Sequence, residues 1–240
     1  MEKTEQEITE LNERVPEQVL NVGASPSIIR LAASHLLATA RTLMPRVRLN
    51  LIEETSLILL DALRRQELDV LLAHDVPEGP GYVTTPMLRE QLLFVTPRDV
   101  SHAVHAPSDI TEVISLRKVL ERELILPLRQ DGIRLLIEQS ARPLKLKPRI
   151  ALQVQSPQAL KILIVSQSMA GVLPYGLAAA ELQTGNLSAR KIVDPELCRT
   201  MCIVRGAKRL SEDEEAKLAT LIESVTAFLR ARLGPLSRPL

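Results

Sequence analysis

The sequence predicts an α/β protein of two lobes, each a largely parallel sheet flanked by helices, with the chain crossing between them twice. Three observations carry this expectation. Residues 19–73 alternate strand, helix, strand, helix, strand, the pattern of parallel strands joined by helical crossovers. The Pro/Gly-rich stretch 77–81 interrupts the alternation, and a second set of strands and helices begins after Pro97. One device occurs in both halves: Ser25-Pro26 and Ser156-Pro157 each join a strand to a helix.

The elements follow in order. Residues 3–14 form a short polar helix with Ile8 and Leu11 three apart, ended by Pro16. Residues 19–23 (VLNVG) read as a strand. Ser25 fits a helix N-cap and Pro26 the first helical position; Ile29, Ala32, Ala33, Leu36, Leu37, Ala40 and Leu43 then recur at helical spacing. Pro45 stops that helix, and 47–53 alternates as a strand. Thr55 or Ser56 caps the next helix, with Leu57, Leu60 and Leu63 inward, and it runs into a strand at 68–73 that stops at His74-Asp75. Strands at 82–86 and 90–96 follow. The second set comprises helix 115–122, strand 124–127, helix 133–142, strand 149–155, a helix after Ser156-Pro157, strand 170–174, helix 175–182, and strands 187–192 and 197–204. A long helix closes the chain to about residue 232, opened by a capping box of Ser211 and Glu214 with acids in its first turn. Crossings are expected near 96–99 and 204–206.

Composition narrows the function. Aromatics are 2% of 240 residues, only Phe94, Phe228, Tyr82 and Tyr175, so ligands find little stacking surface. A net charge of +1 opposes a large nucleic-acid footprint on this chain. The first 20 residues are charged and lack a signal peptide's apolar segment, and no apolar run reaches the roughly 18 residues of a membrane span. Cys198 and Cys202 on one strand sit too far apart for a disulfide and are expected reduced. His35, His74, His102 and His105 join no metal-ligand spacing, no Gly-rich phosphate loop occurs, and no nucleophile–base motif is present. Neither metal, cofactor nor catalysis is expected.

Ligands of open α/β sheets bind beyond the carboxyl ends of the strands. Four polar turns lie there: Ala24-Ser25-Pro26-Ser27, Glu54-Thr55-Ser56, Arg129-Gln130-Asp131 and Gln155-Ser156. Helix N-termini at these turns present unpaired N–H groups. Ser25, Ser27, Thr55, Ser56 and Ser156 are helix caps that can also bind ligand; Arg129 is a carboxylate clamp or a solvated loop charge; His74 is a ligand contact or a hydrogen-bonded loop residue.

These residues also match a family. Val22-Gly23-Ala24-Ser25, the Pro45-x-Val-x-Leu-x-Leu run, Thr55-Ser56, Leu60-x-x-Leu-x-x-x-x-Leu68-Asp69-Val70, Pro86-Met87-Leu88, Glu90-Gln91-Leu92, Val95-Thr96-Pro97, Val172-Leu173-Pro174 and Thr184-Gly185-Asn186-Leu187 resemble, in order and spacing, the effector-binding domain of LysR-type transcriptional regulators over residues 18–232. Two departures stand out. Gln66-Glu67 replaces the usual Gly before Leu-Asp, and Gln167-Ser168-Met169 replaces a frequent Gly-x-Gly.

The resemblance implies two Rossmann-like lobes joined by two crossover strands, the type 2 periplasmic-binding-protein-like fold. Residues 1–17 would be the remnant of a linker helix, 18–96 with 206–234 lobe I, and 97–205 lobe II. It implies a cytoplasmic sensor that binds a small, anionic effector between the lobes at Ser25, Ser27, Thr55, Ser56, His74, Thr96, Arg129, Gln130, Ser156 and Met169. It also implies a homodimer using the apolar face between Ile28 and Leu43, a tetramer in the full-length regulator, and DNA contact only through an N-terminal helix-turn-helix outside this chain. The alternative is a solute-binding receptor of a transport system with the same fold.

Overall fold

In the computed structural model, residues 18–97, 104–206, 212–238 and 240 are described. The expected helix at 3–14, the linker remnant at 1–17, His102 and the Ser211 half of the capping box lie wholly or largely outside them.

Lobe I holds a six-stranded sheet in the order β12-β4-β11-β3-β1-β2. Its strands are β1 (Gln18–Ala24), β2 (Val47–Glu53), β3 (Val70–His74), β4 (Tyr82–Gln91), β11 (Cys198–Gly206) and β12 (Ser237–Arg238). β1 lies parallel to β2 and β3, and β11 runs antiparallel between β3 and β4. β3 is buried along its whole length, hence its unbroken apolar run. Helices α1 (Pro26–Leu43), α2 (Ser56–Arg64) and α7 (Glu212–Leu233) cover this sheet. α1 forms where expected, with Ser25 as its N-cap and Pro26 opening it, but its buried stripe is Ile28, Leu31, Ala32, Leu36 and Ala40, and the expected Ile29, Ala33, Leu37 and Leu43 lie outside it. It packs on α7, where His35 stacks on Phe228 at 4.2 Å and its Nε2 lies 3.0 Å from Ser224 Oγ.

Lobe II holds a second six-stranded sheet, β6-β10-β5-β9-β7-β8. Its strands are β5 (Leu93–Pro97), β6 (Val113–Ser115), β7 (Glu123–Leu126), β8 (Arg149–Gln153), β9 (Ala170–Leu173) and β10 (Leu187–Val193). Its helices are α3 (Leu116–Leu120), α4 (Gly132–Ala141), α5 (Pro157–Ser166) and α6 (Tyr175–Gln183).

Two expectations are corrected. The break expected at 87–89 falls at Leu92, and β4 runs unbroken over 82–91: Pro86, which has no N–H to give the ladder, is accommodated where the β4–β11 register shifts at Met201/Cys202, a bulge at Met87. The crossings also lie earlier. β4 belongs to lobe I and β5 to lobe II, so the first crossing is at Leu92, not 96–99. β10 belongs to lobe II and β11 to lobe I, so the second falls between Val193 and Cys198, not at 204–206. Periodicity cannot reveal such a point, because β5 and β11 are apolar on either side of it.

The crossings are bonded to one another. Fully buried Gln91 donates from Nε2 to the Ile192 carbonyl at 3.0 Å. After α7 the chain turns at Gly234, at φ 47°, and β12 pairs with β4. There Arg238 donates to Gln91 Oε1 at 3.1 Å and to both Glu196 oxygens at 3.1 and 3.3 Å. The C-terminal segment thus straps both crossings.

The lobes also touch directly. Gly176 at the start of α6 lies so close to α1 that an added Cβ would stand 2.5 Å from the Ser27 carbonyl oxygen.

Candidate functional site

A cavity of about 580 Å³ lies between the lobes. Lobe I contributes the strand end His74-Asp75 and the first turns of α1 and α2, with Ser25, Ser27, Thr55 and Ser56. Lobe II contributes the N-terminus of α4, with Gln130, Asp131 and Gly132, and the Gln155 turn. The walls are aliphatic, with Leu57 and Ile58 on one side and Leu135 and Leu136 on the other. This is the placement that helices following parallel strands impose: their first turns converge at the carboxyl edge of each sheet.

The cavity's lobe I floor is a buried charge network. Arg199 on β11 stands opposite Glu90 on β4 in the ladder. Its guanidinium donates to Glu90 Oε2 from Nε at 2.8 Å and approaches the same oxygen from Nη2 at 2.7 Å, while Nη2 also donates to Ser27 Oγ at 2.7 Å. Glu90 is fully buried; Arg199, 8% exposed, lines the cavity. His74 Nδ1 lies 3.1 Å from Ser25 Oγ, and its amide donates to Ser56 Oγ at 3.2 Å. Its Nε2 is 3.4 Å from Glu90 Oε2, yet the geometry leaves Nε2 and Glu90 Oε1 without a hydrogen bond. That contact is an electrostatic approach rather than a full bond. A carboxylate only accepts, so it places the ring proton on Nε2 and has Nδ1 accept from Ser25.

Burial, reinforced by Arg199, lowers the His74 pKa from 6.5 to about 4 against the opposing pull of Glu90, so the ring is neutral. Burial alone would raise the Glu90 carboxyl; Arg199 and His74 together outweigh it and hold the group below its ordinary range. At the rim, burial raises the Asp75 carboxyl, opposed by the Thr200 amide and Arg199. Asp75 sits at φ 50° and accepts from Thr200 N at 2.8 Å. Asp131 caps α4, accepting from Ile133 N at 2.8 Å.

Of the residues singled out in the sequence, the structure brings Ser25, Ser27, Thr55, Ser56, His74 and Gln130 to this cavity. Four others lie outside its lining. Arg129 is exposed in the turn before α4, Thr96 lies on β5 opposite Ser188, Met169 precedes β9, and Ser156 turns its hydroxyl to cap α5 at Ala159 N, 3.3 Å away. Sequence reasoning missed Arg199, Asp75 and the leucine walls. A weak signal existed for the first, since Glu90 and Arg199 are opposite charges within strands, but 109 residues separate them and only the β4–β11 pairing joins them. The two cysteines are free, and burial raises both thiols.

Comparison with known proteins agrees with this architecture. A family model described as the LysR substrate binding domain matches residues 13–228. The nitrogen assimilation regulatory protein nac of Klebsiella aerogenes is 25% identical over 209 residues, covering 86% of this chain; the chain spans 66% of that protein, just under two thirds of its length. Among solved structures, the reduced OxyR regulatory domain of Pseudomonas aeruginosa superimposes with a TM-score of 0.68 at 22% identity, covering 88% of this chain and 98% of that one. The CcmR regulatory domain of Synechocystis in complex with 2-PG gives 0.72 at 18%, covering 87% and 98%. A Corynebacterium glutamicum OxyR gives 0.74 at 17%, covering 98% and 72%. At these identities the structures speak for the fold. Among the described residues, no helix is long and apolar enough to cross a membrane.

Proposed function

Since the chain belongs to the LysR substrate binding domain family, we propose that it is the ligand-sensing and oligomerisation portion of a cytoplasmic LysR-type transcriptional regulator, with a small effector held in the cavity between the lobes. The observation that carries this reading is the cavity itself: about 580 Å³, within the usual range for small-molecule sites, with hydroxyls and helix N-termini converging on it from both lobes. DNA would be contacted by a helix-turn-helix outside this chain.

A ligand touching both lobes binds one interlobe angle better than another and shifts the population by that difference. The backbone joins the lobes at Leu92 and 194–197, so a change of angle works against the strap on these crossings, the Gly176–Ser27 contact and the buried apolar packing of α1 on α6. Self-association supplies the readout. Exposed Ile52 on β2 and Val19 on the neighbouring β1 lie toward one edge of lobe I, and exposed Leu152, Ile162 and Val165 lie on β8 and α5 of lobe II. β2 and β8 are the outer strands of their sheets. An antiparallel dimer that seats lobe I of one copy on lobe II of the other covers both, and two such dimers would form the tetramer of the full-length regulator.

The test is a small-molecule thermal-shift screen followed by calorimetry. Thr55→Ala, inside the cavity, should weaken any hit roughly tenfold, equivalent to a hydrogen bond of about 1.4 kcal/mol. Arg129→Ala, outside the lining, should bind like the parent. Unchanged affinity in Thr55→Ala together with loss in Arg129→Ala would move the site out of this cavity.

A further inference from the structure

We infer that the effector of this cavity is an aliphatic α-amino acid bound as its zwitterion. The inference rests on the cavity being the effector site and extends that reading to a ligand class.

Charge is the first argument. Among the described residues lining the cavity, Arg199 is the one permanent cation, and it is already committed to Glu90 and Ser27. His74 is neutral, its pKa held near 4. The lining adds two carboxyl groups, Asp75 and Asp131, so a ligand with net negative charge meets acids without a spare counter-charge. The expectation of an anion rested on the helix N-termini, the turn hydroxyls and Arg129, and of these Arg129 stands outside the lining.

Position is the second. α1, of 18 residues, and α2, of 9, both open on the cavity without a side-chain cap. Their first-turn amides and the Thr55 and Ser56 hydroxyls form a seat for one carboxylate group. Asp75 is next to that seat, because it directly follows His74, whose ring and amide contact Ser25 and Ser56. An ammonium group one carbon away from a carboxylate seated there meets Asp75. Asp131, at the N-cap of α4 on the opposite lobe, lines the same cavity and offers the ammonium a second carboxylate.

The third is the wall. Leu57 and Ile58 face the cavity from lobe I, Leu135 and Leu136 from lobe II, and among the described residues no Phe, Tyr or Trp lines it. An aliphatic side chain buries against these groups with nothing to stack on.

The experiment is calorimetry on the protein with leucine, isoleucine and valine, beside 4-methylpentanoate (leucine without its amine), 3-methylbutylamine (without its carboxylate) and succinate. At least one amino acid should bind, with both single-charge analogues and succinate tenfold or more weaker. Asp75→Asn and Asp131→Asn should each weaken the amino acid at least tenfold, while 4-methylpentanoate, relieved of a like charge, should bind no more weakly than to the parent. Asn preserves the acceptor for Thr200 or Ile133 and tolerates a positive φ, so the local fold is retained. Binding of 4-methylpentanoate or succinate as tight as leucine overturns the inference, as does failure of all three amino acids to bind. A ligand from a wider screen that is excluded by Leu135→Trp, a half-exposed wall position, would then leave the cavity as the effector site while its assigned ligand class falls.

Discussion

Replacing Arg199 by Ala should destabilise the protein far more than replacing Glu90 by Gln, although each removes one side of the same ion pair. Glu90 is 0% exposed and does not reach the cavity, so without Arg199 its carboxylate is left in the sheet with buried His74 as its remaining partner. Breaking a buried pair that way costs about 3–5 kcal/mol. Arg199 borders about 580 Å³ of cavity, and when Glu90 is gone its guanidinium can turn into that space and keep Ser27. The loss then approaches that of a single charge-assisted hydrogen bond, about 1.5–3 kcal/mol. The double change Glu90→Leu with Arg199→Met, which removes both charges, should recover most of the stability. Urea denaturation followed by circular dichroism measures all of these, with unchanged m values confirming a common unfolded state.

The pH dependence carries a second signature. In the parent, Glu90 is held below its ordinary 4.5, so its stabilisation is present above that pH and is lost as pH falls. Without Arg199, burial prevails and raises the group, reversing the sign: the deficit of Arg199→Ala is greatest near neutrality and shrinks toward pH 4.5. Equal losses for the two single changes, or single losses that simply add in the double, would refute the asymmetry and the coupling behind it.

Three further outcomes are expected. His74 has its pKa lowered from 6.5 to about 4, so stability is fully present above 6.5 and falls by roughly 3 kcal/mol as pH drops to about 4; denaturation midpoints of His74→Asn should be flatter across that window. Gly176→Ala places a Cβ 2.5 Å from the Ser27 carbonyl and should cost about 1–3 kcal/mol, with small-angle scattering reporting lobes further apart; an unchanged radius and melting temperature would show the contact to be loose. Ile162→Glu changes a side chain that is 57% exposed, so sedimentation should show dissociation tenfold or more easier while the melting temperature stays within a degree or two.

Much of the fold was legible because local signals and burial agree in it. The apolar spacing of α1, its Ser25-Pro26 entry and the buried run of β3 each specify one element, and their alternation specifies parallel pairing. The six sequence-expected residues that reach the cavity share a cause: all lie at or beside a strand end or a helix start, a place fixed by chain order. What stayed hidden depends on partners distant in sequence. Arg199 joins the site only because β11 inserts between β3 and β4, and Ser156 leaves it because its hydroxyl satisfies its own helix instead. The crossings were misplaced because a strand that enters one lobe and a strand that leaves the other have the same apolar pattern.

The interleaved chain path also bears on synthesis. Lobe II is continuous from Leu93 to Val193, whereas the sheet of lobe I lacks its middle until β11 is made. On the ribosome the second lobe can therefore close first, reversing the usual N-to-C order of domain folding. Glu90 waits 109 residues for Arg199, roughly 5–20 s at typical elongation rates. Over that interval the outer edge of β3 has no neighbour, and an unpaired apolar strand edge is a template for pairing between chains. Slower translation of residues 94–199 should lower the soluble yield, and a chaperone that shields extended apolar segments should restore it.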